Sequence, residues 1–277
     1  YVDALILIGP DAISSLANAL FHTSPQVRSG AVLTLGTSGK SAGHLVPKII
    51  TLLNDNDAFV RASAAEALGK LGPAARAAAP ILARKLNDKV SRVRAAAVGG
   101  LGKTAGDDVT YAALFATALN ADDASVRIAA TRVLSKLPAI ATAAAENLVA
   151  ALVDEDEHVR SGAARALGVA GKDIASSVPA LVQQLRDPVD EVRVEIVRAL
   201  GAIGETTPGV IAELGATIAD PSPKVRRQGV LTLRGLGPDA LPAVPQLVEA
   251  LDNKDNDFRI LVIESFRPII SDVSELL

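Results

Sequence analysis

Cysteine, methionine and tryptophan are absent, and the aromatic side chains are five Phe and two Tyr. Without cysteine there are no disulfides, no thiolate nucleophile and no thiolate metal ligands. The absence leaves the redox compartment open. Scarce aromatics exclude a core built on large rings and remove the stacking platforms used for single-stranded nucleic acid. The 28 Lys and Arg nearly balance the 31 Asp and Glu, for a net charge of −3. No global field therefore drives the chain toward nucleic acid or an anionic membrane. No stretch approaches the ~18–20 consecutive apolar residues of a membrane span.

Chemical motifs are equally scarce. The three histidines, His22, His44 and His158, are scattered and form no HExxH or His-x3-His spacing, so no zinc site is expected. No G-x-S-x-G nucleophile elbow is present. Gly39-Lys40-Ser41 imitates the end of a phosphate-binding loop, but Thr34 stands where its first glycine belongs. The acidic turn Asp154-Glu155-Asp156-Glu157 lacks the spacing and glycine of a calcium loop. The reading is of a non-enzyme with no cofactor and no metal.

What the chain has is a period. Arginine recurs every 33 residues, at Arg28, Arg61, Arg94, Arg127, Arg160, Arg193, Arg226 and Arg259. Valine precedes each of them except Arg259, which follows Phe258. Self-similarity at this spacing predicts a solenoid, in which each unit buries its apolar face only by stacking on its neighbours.

Residues 178–204 show the unit. Val178, Leu181, Val182 and Leu185 lie at helical spacing, with Pro179 in the first turn. Asp187-Pro188 breaks that helix. Val192, Ile196, Ala199, Leu200 and Ile203 form a second stripe, and Gly204 stands at its C-cap. Each repeat is thus an antiparallel helix pair. Leu20, Leu53, Leu86, Leu119, Leu152, Leu185, Ile218 and Leu251 recur seven residues before the anchor. Leu35, Leu68, Leu101, Leu134, Leu167, Leu200, Leu233 and Phe266 recur eight after it, and all sixteen are expected in the core. Gly36, Gly69, Gly102, Gly168 and Gly201 follow five of the second set; each costs about 1 kcal/mol of helix propensity, which close helix packing would offset. Ser24, Asp57, Asp123, Asp156, Ser222 and Asp255 are predicted N-caps, with Pro25 and Pro223 at the first helical position.

Six residues before the arginine stands Asp55, Asp88, Asp154, Asp187 or Asp220; the other three repeats have His22, Ala121 and Asn253. Asp and Arg are expected to form a stabilising ladder, with Arg127, which has Ala121 in that place, the least neutralised.

The Asp-x5-Arg turn and the phrase at Arg61–Gly72, RASAAEALGKLG, resemble HEAT repeats. The short period and alanine-rich second helix look most like the compact bacterial HEAT-like repeats of phycobilin lyase subunits. The resemblance implies an all-α fold, an α-solenoid (right-handed superhelix) of about eight 33-residue repeats over residues 10–268. Residues 1–9 read as the remnant of a preceding helix, and 269–277 as a tail or the start of a further repeat. The opening on Tyr1 reads as an array whose start lies upstream. The His-Glu pairs of HEAT-type di-iron hydroxylases are missing here. The family is used mainly as a scaffold, and its second helices line a concave groove.

Six residues past the anchor, Arg132, Arg165 and Arg198 occupy consecutive repeats and should stack along that groove, ~10 Å apart. Lys70, Lys103 and Lys136 form another row near helix C-termini, where lysine also complements the dipole. The partner expected is a protein or acidic peptide, with no nucleic acid and no membrane. The competing reading of the arginine row is a solvated face paired with Glu195. The last repeat is apolar all round at Ile260-Leu261-Val262-Ile263, so Ile260 and Ile263 are expected to be covered, with end-to-end contact as one means. Two alternatives are a phycobilin-lyase-like chromophore accessory protein and a designed or consensus array without a natural ligand.

Overall fold

The structure, a computed structural model, describes residues 10–270. The expectations for residues 1–9 and 271–277 lie outside the described residues. The chain divides at Ala144 into two compact units. Among the described residues every regular element is helical.

In the first unit the helices are α1 (Pro10–Ala19), α2 (Pro25–Thr37), α3 (Val46–Thr51), α4 (Ala58–Leu71), α5 (Ala79–Lys85), α6 (Ser91–Ala105), α7 (Ala112–Leu119), α8 (Ala124–Leu134) and α9 (Pro138–Ala143). The long helices α2, α4, α6 and α8 are the second members of successive pairs, and each packs against the next. In the second unit the helices are α10 (Ala145–Ala151), α11 (Glu157–Ala170), α12 (Val178–Gln183), α13 (Asp190–Ile203), α14 (Pro208–Ala216), α15 (Pro223–Leu236), α16 (Val244–Glu249) and α17 (Asn256–Ile270). There α11, α13, α15 and α17 form the equivalent layer. The last helix runs two residues past 268, with Pro268 inside its final turn.

First helices are shorter than the pattern implies. In four repeats a seven-residue 3-10 bridge precedes the α-helix, at Gly39–Leu45, Gly72–Ala78, Gly171–Ser177 and Gly237–Ala243. Each bridge opens on a glycine with φ between 59° and 68°, a left-handed backbone that a Cβ disfavours. The Gly39-Lys40-Ser41 imitation lies in the first of these bridges, not after a strand.

The core is small and tightly packed. All but three of the sixteen periodic apolar residues are buried; Leu86, Leu251 and Phe266 are partly exposed. The glycines after the second set mark close helix approach. A Cβ on Gly36 would lie 2.6 Å from Ala67 Cα, on Gly69 2.9 Å from Gly100 Cα, and on Gly168 3.0 Å from Ala199 Cα. Gly102 and Gly201 sit equally close to the side chains of Val133 and Thr232. Phe115 and Phe258 are the bulkiest fully buried side chains, one in each unit.

Four of the six predicted N-caps make the expected bonds: Asp57, Asp123, Asp156 and Asp255 each accept from a backbone N–H two or three residues on. Ser24 and Ser222 occupy the position but do not cap. The Ser24 hydroxyl meets Gln26 Oε1, and the Ser222 hydroxyl donates to Asp190 Oδ2 at 2.9 Å. One cap comes from a neighbouring repeat. Asp107 accepts from the backbone N–H groups of Ala139 and Ile140, both at 3.1 Å, at the start of α9, where Pro138 occupies the first turn.

Candidate binding surface

The arginine column organises the turns between first and second helices. In all eight repeats Nη1 donates to the carbonyl of the residue six before, whatever that residue is. Examples are Arg28 to His22 O (2.8 Å), Arg127 to Ala121 O (2.9 Å) and Arg226 to Asp220 O (2.9 Å). The remaining rim of the guanidinium points forward. Arg28, Arg61, Arg160 and Arg193 each grip, through Nε and Nη2, the aspartate 27 residues ahead: Asp55, Asp88, Asp187 and Asp220, at 2.7–3.1 Å. The aspartate Oδ1 also accepts the N–H two residues on, closing its own turn. These planar, bidentate, charge-assisted contacts are partly buried. Their hydrogen bonds raise the pKa of each of these four arginines. The Arg28 hydrogen bond likewise lowers that of Asp55.

Because the carboxylate comes from the next repeat, a lost aspartate disarms the preceding arginine. Ala121 therefore deprives Arg94, not Arg127 as expected, and Asn253 deprives Arg226.

Arg165 and Arg198, from the surface row, lie on α11 and α13 in the second unit. Between them stands Glu195, whose side chain is 2 % exposed while theirs are 50 % and 53 % exposed. Arg165 donates to Glu195 Oε1 from Nη2 at 2.9 Å and to Oε2 from Nε at 3.2 Å. Arg198 donates to Oε1 at 2.7 Å and, from Nη2, to Gln228 at 3.3 Å. The glutamate bond raises the Arg165 pKa. Two guanidinium groups thus share one buried carboxylate, leaving a surplus positive charge held on a fixed frame at the surface. Arg132 lies on α8 in the first unit and is exposed. Lys70 pairs with Glu66 one turn earlier at 2.8 Å, and Lys103 and Lys136 are exposed. Ile260 and Ile263 remain 53 % and 59 % exposed, so the expected cover is not among the described residues.

Sequence reasoning did not single out Glu195 as buried; its place three residues before Arg198 and thirty after Arg165 was the available signal. Among the described residues no cluster of acidic and histidine side chains could hold a metal, and no helix is long and apolar enough to cross a membrane.

Comparison with known proteins fits this geometry. The sequence profile of HEAT repeats matches residues 13–102, 46–135, 111–178 and 178–267. The chain belongs to the HEAT-repeat family. Its α-solenoid class is shared by solved HEAT-like structures. YibA of E. coli aligns with a TM-score of 0.67 at 21 % identity, over 96 % of this chain and 95 % of that one. An engineered protein aligns at 0.66 and 21 %, over 98 % and 80 %. Importin beta aligns at 0.67 and 16 %, over 93 % of this chain but 40 % of its own length. At these identities the likeness concerns the fold. No curated protein matches the chain in sequence.

Proposed function

We propose that this HEAT-repeat chain is a non-enzymatic scaffold that engages a protein or peptide through the concave face lined by its second helices. The observation that carries this reading is the Arg165–Glu195–Arg198 cluster. A buried carboxylate fixes two half-exposed guanidinium groups, so their ordering entropy is already spent before a partner arrives. Arginine's planar fork suits acidic partners and interface hot spots. Arg132 holds the equivalent place in its own repeat of the first unit, where Lys70, Lys103 and Lys136 add positive charge near helix ends. HEAT repeats commonly serve protein interaction, which supports the class of partner. The exposed Ile260 and Ile263 suit a further apolar contact, end to end, with another chain.

The test is capture of binding proteins from source lysate by wild type beside an Arg132/Arg165/Arg198→Glu variant of unchanged helicity. Proteins retained by wild type alone support the reading. Equal capture by both removes the arginine row from the interface.

A further inference from the structure

Two forward rungs of the ladder lack their aspartate, and they differ in what stands there instead. At Arg226 the Asn253 amide takes the place of the carboxylate, and Arg226 Nε is closed to solvent. At Arg94 the place falls to the methyl group of Ala121, and a cleft of about 320 Å³ opens beside it. Only the second rung leaves room for a ligand.

Arg94 is held as the arginines of the closed rungs are. Its Nη1 donates to Asp88 O at 3.1 Å and to Lys89 O at 3.4 Å, as Arg61 Nη1 does to Asp55 O and Asn56 O. Nε and Nη2 form the edge that grips a carboxylate elsewhere. Here they have no hydrogen-bond partner among the described residues, and neither is closed to solvent. A third donor faces the same place. In the other seven repeats the side chain six before the arginine accepts the N–H two residues on, as His22, Asp55, Asp88, Asp154, Asp187, Asp220 and Asn253 all do. Ala121 has no acceptor to offer, so the Asp123 N–H lacks that bond. The turn is otherwise unchanged: Asp123 has φ −90° and ψ 121°, against −81° and 125° at Asp57 and −89° and 123° at Asp156. The closed rung at Asp88 shows what such donors hold. There Oδ2 takes Arg61 Nε–H, and Oδ1 takes both Arg61 Nη2–H and the Val90 N–H.

The walls of the cleft indicate what carries the carboxylate. Leu86, Leu114 and Val126 line it, and both leucines are partly exposed. Asp122 at its edge is exposed and disfavours a second negative charge. The Asp123 carboxylate attracts Arg94 at longer range, but it is taken up by Ser91 and by the N–H and hydroxyl of Ser125. We infer that this cleft binds a single carboxylate on a short aliphatic chain. The carboxylate takes Arg94 Nε–H, Arg94 Nη2–H and the Asp123 N–H, and the chain lies on Leu86 and Leu114. A free aliphatic monocarboxylate and the side chain of a partner's glutamate present the same chemistry. The cleft shares no residue with the Arg165–Glu195–Arg198 surface, so each stands or falls alone.

The test is an NMR titration of the full chain at fixed ionic strength, following the Asp123 amide and the Arg94 Nε–Hε resonance, the latter assigned by its loss in R94K. The probes are sodium butyrate, sodium acetate, butyramide and acetyl-Ala-Glu-Ala-amide. Butyrate should shift both resonances saturably and bind more tightly than acetate, by roughly fourfold for each methylene buried. Butyramide should shift neither. A121D supplies the carboxylate internally and should abolish both shifts. Butyrate should also raise the melting temperature of wild type but not of A121D, a readout that needs no assignment. Saturation by butyrate or by the glutamyl peptide supports the site, and the tighter of the two names the source. No saturable shift with either would overturn it, as would an equal response to butyramide or a response that persists in A121D. Acetate binding as tightly as butyrate would overturn the aliphatic part of the assignment.

Discussion

Arg160 and Asp187, 27 residues apart, meet edge to edge: Nε donates to Oδ2 at 2.7 Å and Nη2 to Oδ1 at 3.1 Å. Asp187 is buried, so this contact closes one repeat onto the next with little help from solvent. Arg160→Ala removes both bonds and strands the carboxylate. The expected loss is about 2–3 kcal/mol, read as a lowered chemical-denaturation midpoint. Because solenoid repeats couple to their neighbours, amide exchange should accelerate first in α11 and α13. An unchanged midpoint would deny the ladder its stabilising role.

Restoring a rung should do the reverse. Ala121→Asp places a carboxylate 27 residues after Arg94, whose Nη1 is already tied to Asp88 O at 3.1 Å. A gain of roughly 1 kcal/mol is expected, the ordinary worth of a partly exposed bidentate pair. Differential scanning calorimetry of the variant checks it, and Arg94→Lys in the same background should cancel the gain.

Acid should weaken the ladder in a defined window. Arg28 holds the Asp55 carboxyl below its usual range. A depressed folded-state pKa contributes stability that is present above the unfolded value, about 3.9, and is lost as pH falls through the folded one. Melting temperature should therefore drop on acidification below about pH 4, and Asp55→Asn should shed that part of the slope while lowering stability at neutral pH. A parallel profile for the variant would contradict the assignment.

Two adjacent glycines in α6 should respond oppositely. A Cβ on Gly100 would lie 2.6 Å from Ala65 O, a backbone atom with nowhere to go, whereas a Cβ on Gly99 meets nothing within 4 Å. Gly100→Ala is expected to destabilise by about 1–3 kcal/mol. Gly99→Ala should stabilise by up to about 1 kcal/mol through helix propensity. Urea unfolding of the two single variants compares them directly.

Replacing Arg198 and Glu195 singly should also separate surface from frame. Arg198→Ala leaves Glu195 with its Arg165 bonds, so stability should change little while partner binding weakens. Glu195→Ala frees both guanidinium groups, and both stability and binding should fall. Calorimetry beside a pull-down reads the two effects apart.

The fold was legible because period, apolar spacing and close-packed glycines all point to one stacked helix pair. The direction of the ladder was not. With a period of 33, an aspartate six before one arginine is also 27 after the previous one, so sequence spacing alone cannot choose between them. Geometry chooses: Nη1 takes the near carbonyl, which leaves Nε and Nη2 facing the next repeat. Leu86 and Leu251 escape full burial although the pattern treats them like their equivalents, and Leu86 lines the cleft that opens at Ala121. Ser24 and Ser222 satisfy the capping pattern, yet their hydroxyls find Gln26 and Asp190 instead. The Arg165–Glu195 contact joins residues thirty apart on different helices, and no local pattern encodes that Glu195 is buried.

The forward pointing of the ladder also sets how an array of this kind can change length. Every closed junction is a plug on one side and a socket on the other: a guanidinium faces ahead and a carboxylate faces back. A 33-residue cassette beginning anywhere in the cycle carries one of each. Duplicating the cassette that holds Asp187 and Arg193 would make a new junction whose charges already match. Removing it would rejoin Arg160 to Asp220 in the same geometry. Insertions that are not a whole multiple of 33 residues would put the next helix out of phase and leave a buried aspartate facing no arginine.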